Sequence, residues 1–143
     1  MPYRFLEEIA TADVAFEAWG ETLGEMFTAA ADATMNTMVA DLEAISPTES
    51  RRIDIRADAI DMLLFNFLQE IIYYKDADEI LLRVSEVTVS NGNGAFCVSS
   101  KCRGERIDPG KHDLIVDVKA VTLHRFKVEQ TARGWEALVI LDV

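Results

Sequence analysis

Apolar positions along this chain follow two different periods. Leu23, Met26, Phe27, Ala30, Thr34, Met38, Leu42 and Ile45 recur at helical spacing, while Asp32, Asp41 and Glu43 mostly fall elsewhere. This predicts an amphipathic helix of about six turns. Thr22 opens it: its hydroxyl can accept a free backbone N–H, and Glu25 three residues on completes a capping box. Pro47 forbids any continuation, because it lacks an N–H and restricts Ser46 before it. Further on, Ile60, Leu64, Phe67, Leu68, Ile71 and Ile72 form the buried face of a second helix, widened by Met62, Leu63 and Phe65. A helix apolar over so much of its circumference is expected to be deeply sandwiched. Asp58 is its candidate cap.

The rest of the chain alternates with period two. Strands are expected at Tyr3–Glu8, at Val14–Trp19 ended by Gly20, and at Arg51–Arg56, where arginine and aspartate alternate with Ile53 and Ile55. Glu79–Ser90 carries Ile80, Leu82, Val84, Val87 and Val89. Asn91-Gly92-Asn93-Gly94 then supplies the positive φ of a hairpin turn, and Ala95–Lys101 returns. Val116–Thr131 and Trp135–Val143 form a last pair joined at Arg133-Gly134. The fold class expected is α+β, with two helices packed on mainly antiparallel sheets in a single domain, 1–143.

Composition narrows the partners. Fourteen Lys and Arg against 25 Asp and Glu give a net charge of −11. An excess of that size repels phosphate backbones at long range, which argues against strong direct nucleic-acid binding. His124-Arg125-Phe126-Lys127 is a single basic strand face within that acidic chain. The longest apolar runs, such as Leu138–Leu141, are far too short to span a membrane. No basic-then-apolar leader opens the sequence, and Cys97 and Cys102 do not make a disulfide framework, so a reduced, cytoplasmic setting is expected.

Candidate chemistry is sparse. His112 lies beside Asp113, yet no nucleophile elbow accompanies it. Cys97 and Cys102 could be half a zinc site, but His112 and His124 lack the spacing to complete one. Gly92 and Gly94 precede no helix and no Gly-Lys-Ser/Thr, so a phosphate loop is not expected. Carboxylates are more informative. Asp13 sits at the junction of two apolar strands, and Asp142 ends another beside Val143. If the first and last strands are close, these oxygens would converge and suit a hard cation such as Ca²⁺, Mg²⁺ or Mn²⁺. Alternatively, Asp13 shapes a turn and Asp142 solvates a chain end.

Several segments together resemble the archease family. They are Thr11-Ala12-Asp13-Val14 with Ala18-Trp19-Gly20 and Thr22-Leu23, Phe67–Tyr73 with Asp76, Gly104–Asp108 with His112, Asp117–His124, and Trp135–Val143. The match runs end to end and in order. One departure stands out: the family usually carries His-Thr-Ala-Asp, whereas Ala10 occupies the first position here. The resemblance implies a non-enzymatic accessory protein of tRNA processing and splicing. It would activate an RtcB-type tRNA-splicing ligase, promoting guanylylation of the ligase's active-site histidine and multiple turnover. It also implies a metal site on Asp13, Asp142 and Val143, and an activation role for Lys119. Ca²⁺ is the first expectation for the ion, with Mg²⁺ or Mn²⁺ as alternatives.

Two other readings compete. One is a chaperone or solubility partner for RNA-modifying enzymes such as a tRNA methyltransferase, in which the metal ligands would be dispensable. The other is a small metal-dependent hydrolase using Asp13, Asp142 and His112, which lacks an identified base.

Overall fold

The computed structural model describes residues 2–7 and 13–143. Among them the order is β1 (Tyr3–Leu6), β2 (Val14–Gly20), α1 (Leu23–Met38), a 3-10 turn (Leu42–Ala44), β3 (Glu49–Ala57), α2 (Ile60–Asp78), β4 (Ile80–Gly92), β5 (Ala95–Arg106), β6 (Ala120–Thr131) and β7 (Gly134–Asp142). The strands form two antiparallel sheets. One has the order β1-β2-β7-β6 and the other β3-β5-β4. Both helices pack into one core with the inner faces of the two sheets, bringing Phe16, Val139 and Leu141 together with Phe27, Phe67, Ile53 and Leu82. The α+β expectation therefore holds, with two helices and two antiparallel sheets in a single domain.

The capping box forms as the sequence predicts. Glu25 N–H donates to Thr22 Oγ1 (3.2 Å), and Thr22 N–H donates to Glu25 Oε2 (3.2 Å). The helix that follows is shorter than its periodicity suggests, ending at Met38. Val39 turns extended and bridges Leu114, while the Asn36 amide donates to the Val39 and Ala40 carbonyls. These side-chain bonds substitute for helical ones. Leu42 then falls in a 3-10 turn capped by Asp41, and Ile45 follows it. The apolar repeat continues into the loop because the loop also packs on the core.

Other expectations shift in detail. Ala59, extended and without a side-chain bond, takes the cap position of α2, so Asp58 lies one residue too early. Leu63 and Leu64 are fully buried as expected, but Met62 is exposed. The first strand stops at Leu6, before the expected end at Glu8, which lies outside the described residues, as do Ala10, Thr11 and Ala12. The strand expected from Val116 begins only at Ala120, because residues 114–118 are bonded to the α1 terminus and to α2. Asn93 and Gly94 both adopt positive φ (54° and 75°), so the four-residue turn signal closes the β4–β5 hairpin as expected.

Candidate functional site

The β2–β7 register decides where the candidate acids go. Val14 pairs with Leu141, Ala15 with Ile140 and Phe16 with Val139. Asp13 immediately precedes β2 and Asp142 is the last residue of β7, so the two acids flank the same end of the β2–β7 pairing. On the other side of β7, Ala120 pairs with Asp142, and Lys119 N–H donates to the Asp142 carbonyl (2.8 Å). Three strand ends thus gather Asp13, Asp142, Val143 and Lys119 at one end of the four-stranded sheet. Side-chain alternation separates their surroundings. Ala137, Val139 and Leu141 join the main core, so Asp142 falls on the opposite face. Asp13 and Lys119 are exposed, and Asp142 and Val143 are half-buried.

The donors here are all oxygens, the chemistry a hard cation requires. Among the described residues, no group of three His, Cys, Asp or Glu side chains is placed to hold a metal. Two carboxylates with main-chain oxygens match an open, partly hydrated coordination, the kind in which water fills the remaining positions. They do not match a closed protein cage.

His112 is placed quite differently. It is buried in the loop after β5, where its Nδ1 accepts the Asp108 N–H (2.9 Å) and its Nε2 lies 2.8 Å from Glu105 Oε1. An Nδ1 that accepts a hydrogen bond puts the ring proton on Nε2, facing Glu105. Both nitrogens are occupied in holding the loop closed, so His112 does not join Asp13 or Asp142. Glu105 is the hub of this cluster. The Lys111 ammonium, the Ser46 N–H and His112 together pull its carboxyl pKa down to about 2. Cys97 and Cys102 lie five residues apart on β5 and so face opposite sides of its sheet. They form no joint site, and burial pushes the Cys102 thiol pKa up.

One contact beside the tip was not expected from the residues. Lys75 on α2 is buried, and its ammonium donates to Asp117 Oδ1 (2.5 Å) and to the Val118 carbonyl (2.8 Å). It also pairs with Asp76 (2.5 Å). The Val121 N–H, in turn, donates to Gln69 Oε1 (2.9 Å) on the same helix. These bonds hold the segment on either side of Lys119 against α2. The available signal was a lysine that continues the apolar stripe of Phe67, Leu68, Ile71 and Ile72.

Comparison with known proteins places this architecture. The pattern of the Archease protein family matches residues 3–143. This chain belongs to the archease family. The archease of Archaeoglobus fulgidus is 34% identical over 143 residues, covering 100% of both chains. That of Methanosarcina mazei is 32% identical over 142 residues, covering 99% of this chain and 95% of its own. The solution structure of Methanobacterium thermoautotrophicum protein 1598 superposes with a TM-score of 0.86 at 29% identity, covering 99% of each chain. The crystal structure of an archease described as a possible chaperone, from Thermotoga maritima, shares the fold at TM-score 0.57 and 19% identity, covering 94% of this chain and 93% of its own. Among the described residues of this archease, no helix is long and apolar enough to cross a membrane.

Proposed function

We propose that this archease activates an RtcB-type tRNA-splicing ligase, promoting guanylylation of the ligase's active-site histidine so that it turns over repeatedly. It does so as a cytoplasmic accessory protein with no nucleophile of its own. The observation that supports the reading is the β2–β7 register, which ends at Val14 and Leu141 and so leaves Asp13 and Asp142 at the same sheet end, where Lys119 N–H bonds the Asp142 carbonyl. Family membership over residues 3–143 supports the same assignment.

Asp13, Asp142 and an oxygen of Val143 would hold a divalent cation, Ca²⁺ first and Mg²⁺ or Mn²⁺ otherwise. When bound, that ion supplies positive charge to phosphate oxygens. Lys119 adds a second positive group beside the acids, able to pair with a nucleotide phosphate. Its amide bond to Asp142 keeps strand β7 and the lysine in fixed relation. Nucleotidyl transfer asks mostly for such positioning of charge and phosphate. The acids also give the tip a negative field suited to the basic entrance of an enzyme that admits RNA and nucleotide.

The test is ligation by limiting RtcB-type ligase, with and without this protein. Activation from one round to many, lost in Asp13→Ala/Asp142→Ala, is the expected result. Full activation by that double variant would remove the metal tip from the account. A second reading, a chaperone for RNA-modifying enzymes such as a tRNA methyltransferase, draws on the description of the Thermotoga maritima relative as a possible chaperone. Under it, the wild type leaves ligation unchanged while suppressing aggregation of the client.

A further inference from the structure

Leu114, Ile115 and Val116 are consecutive, and their exposures are 44%, 56% and 41%. Three neighbouring large apolar side chains held out to water are unusual in an acidic protein, and such patches mark interaction surfaces. The segment is also firmly held. Ala40 N–H donates to the Asp113 carbonyl (2.9 Å) and Ile115 N–H to the Met38 carbonyl (2.8 Å). At its far end, Lys75 grips Asp117 and the Val118 carbonyl, and Val118 itself is buried. The backbone is thus anchored on both sides while the apolar side chains project. Beside them runs a groove of about 210 Å³, lined by Met38, Leu81, Ile107 and the segment itself.

The surroundings indicate what covers this surface. Asp113 and Asp117 flank the apolar residues, and Asp76 lies next to Lys75. Two of the nearby cations are already committed, while Lys119, three residues beyond Val116, is exposed at the tip. Lys75 is buried against Asp76 and Asp117, and Lys111 bonds Glu105 and Ser46. Among the described residues no ion pair involves Asp113. An apolar strip with an acidic rim is complementary to a basic protein surface with an apolar recess. An enzyme that takes up RNA and a nucleoside triphosphate carries such basic surface around its entrance. The strip is also continuous with the tip: Val116 is only three residues from Lys119, a reach of about 10 Å even when fully extended.

We infer that Leu114, Ile115 and Val116 form the docking strip by which this protein binds the basic rim of the ligase entrance, holding the Asp13/Asp142 tip at the nucleotide site. This rests on the activator reading and adds a division of labour to it. The strip sets affinity, and the tip sets the activity of the complex once formed.

The test is direct binding of the full chain to the purified RtcB-type ligase by calorimetry, run beside a ligation assay titrated with the activator. Ile115→Asp/Val116→Asp is expected to weaken Kd at least tenfold and to raise the half-saturating concentration in parallel, with the plateau of activation unchanged. Ile115→Ala, which leaves the backbone bonds intact, is expected to weaken Kd several-fold. Asp13→Ala/Asp142→Ala should lower the plateau with Kd changed far less. Wild-type Kd in both strip variants, with thermal midpoints unaltered, overturns the docking strip and leaves the activator reading standing. Wild-type binding without activation overturns the activator reading and leaves the strip. No wild-type binding overturns both. A dimer in sedimentation that Ile115→Asp dissolves would assign the strip to a second copy and overturn its assignment to the ligase.

Discussion

Lys75 on α2 reaches across to Asp117, its ammonium 2.5 Å from Oδ1, and so ties the helix to the segment that leads into Lys119. The contact is a buried cation in exchange for order at the tip. Burial by itself would lower the lysine pKa, but the hydrogen bonds it donates to Asp117 and Asp76 outweigh that and raise it above its ordinary 10.5. Lys75→Met keeps the apolar stem but leaves the Val118 carbonyl and Asp117 without their donor. A loss of about 2 kcal/mol is expected in urea unfolding at neutral pH. Because the folded pKa is raised, this stabilisation is fully present below the unfolded value and fades as pH rises through the folded one. Wild type and variant should therefore converge above pH 10.5. A difference that stays constant into that range would remove the ammonium from the account.

Glu105 works in the opposite direction. Its carboxylate takes bonds from Lys111, the Ser46 N–H and His112, which hold its pKa at about 2 against an ordinary 4.5. A depressed carboxyl pKa contributes stability that is present above the unfolded value and is lost as pH falls toward the folded one. Glu105→Gln is thus expected to be less stable than wild type near neutrality, the gap closing between pH 4.5 and about 2. Urea midpoints across that window measure it. Equal midpoints near neutrality would mean that the Glu105 cluster holds nothing together.

How far the sequence revealed this molecule differs from element to element. The Thr22–Glu25 capping box, the Asn93-Gly94 turn and the apolar face of α2 were legible because each is a local pattern with a local cause. The end of α1 was not. Its apolar repeat runs on to Ile45, and the bridge from Val39 to Leu114, 75 residues apart in the chain, helps take the backbone out of the helix. His112 lies beside Asp113 in the sequence, but it turns away to Glu105 and the Asp108 N–H, partners that its immediate neighbours do not disclose. At the tip, residue type singles out Asp13 and Asp142, but their sharing one sheet end depends on β2 pairing with β7, a long-range choice that no local pattern fixes. The contacts of Lys75 with Asp117 and Val118 are illegible for the same reason, since those two acceptors lie more than 40 residues away.

Gly104 shows how closely β4 and β5 are fitted. It lies in β5 opposite Leu82, and a Cβ built there would run into the Leu81 carbonyl oxygen. Its own carbonyl accepts from Thr48 N–H (3.0 Å) and Thr48 Oγ1 (3.3 Å), so β5 is held on its other side by the lead into β3 and cannot shift away from β4. Gly104→Ala is expected to cost about 3 kcal/mol, at the upper end of overpacking substitutions. Glu105 follows directly, so displacement of Gly104 should also disturb the His112 loop. Chemical denaturation together with the histidine C–H proton shifts would report both effects. A variant with wild-type stability and unchanged His112 signals would mean the two strands separate easily there.

Asp13 and Asp142 carry a prediction that needs no ligase. The two acids stand at adjoining strand ends, and a cation held between them would bind the folded chain far better than the unfolded one. Such a ligand stabilises by mass action, by about 2.7 kcal/mol at one hundred times its Kd. Titrating Ca²⁺ into chelator-stripped protein is therefore expected to raise Tm, and adding chelator should reverse it. Asp13→Asn/Asp142→Asn removes both charges while keeping side-chain size, so the apo variant should match or exceed apo wild type in Tm and show no response to Ca²⁺. Mg²⁺ and Mn²⁺ titrations run alongside rank the ions, with Ca²⁺ expected to act at the lowest concentration. An equal rise in wild type and variant would move the binding elsewhere on this acidic surface, and with it the reason for assigning the tip its role.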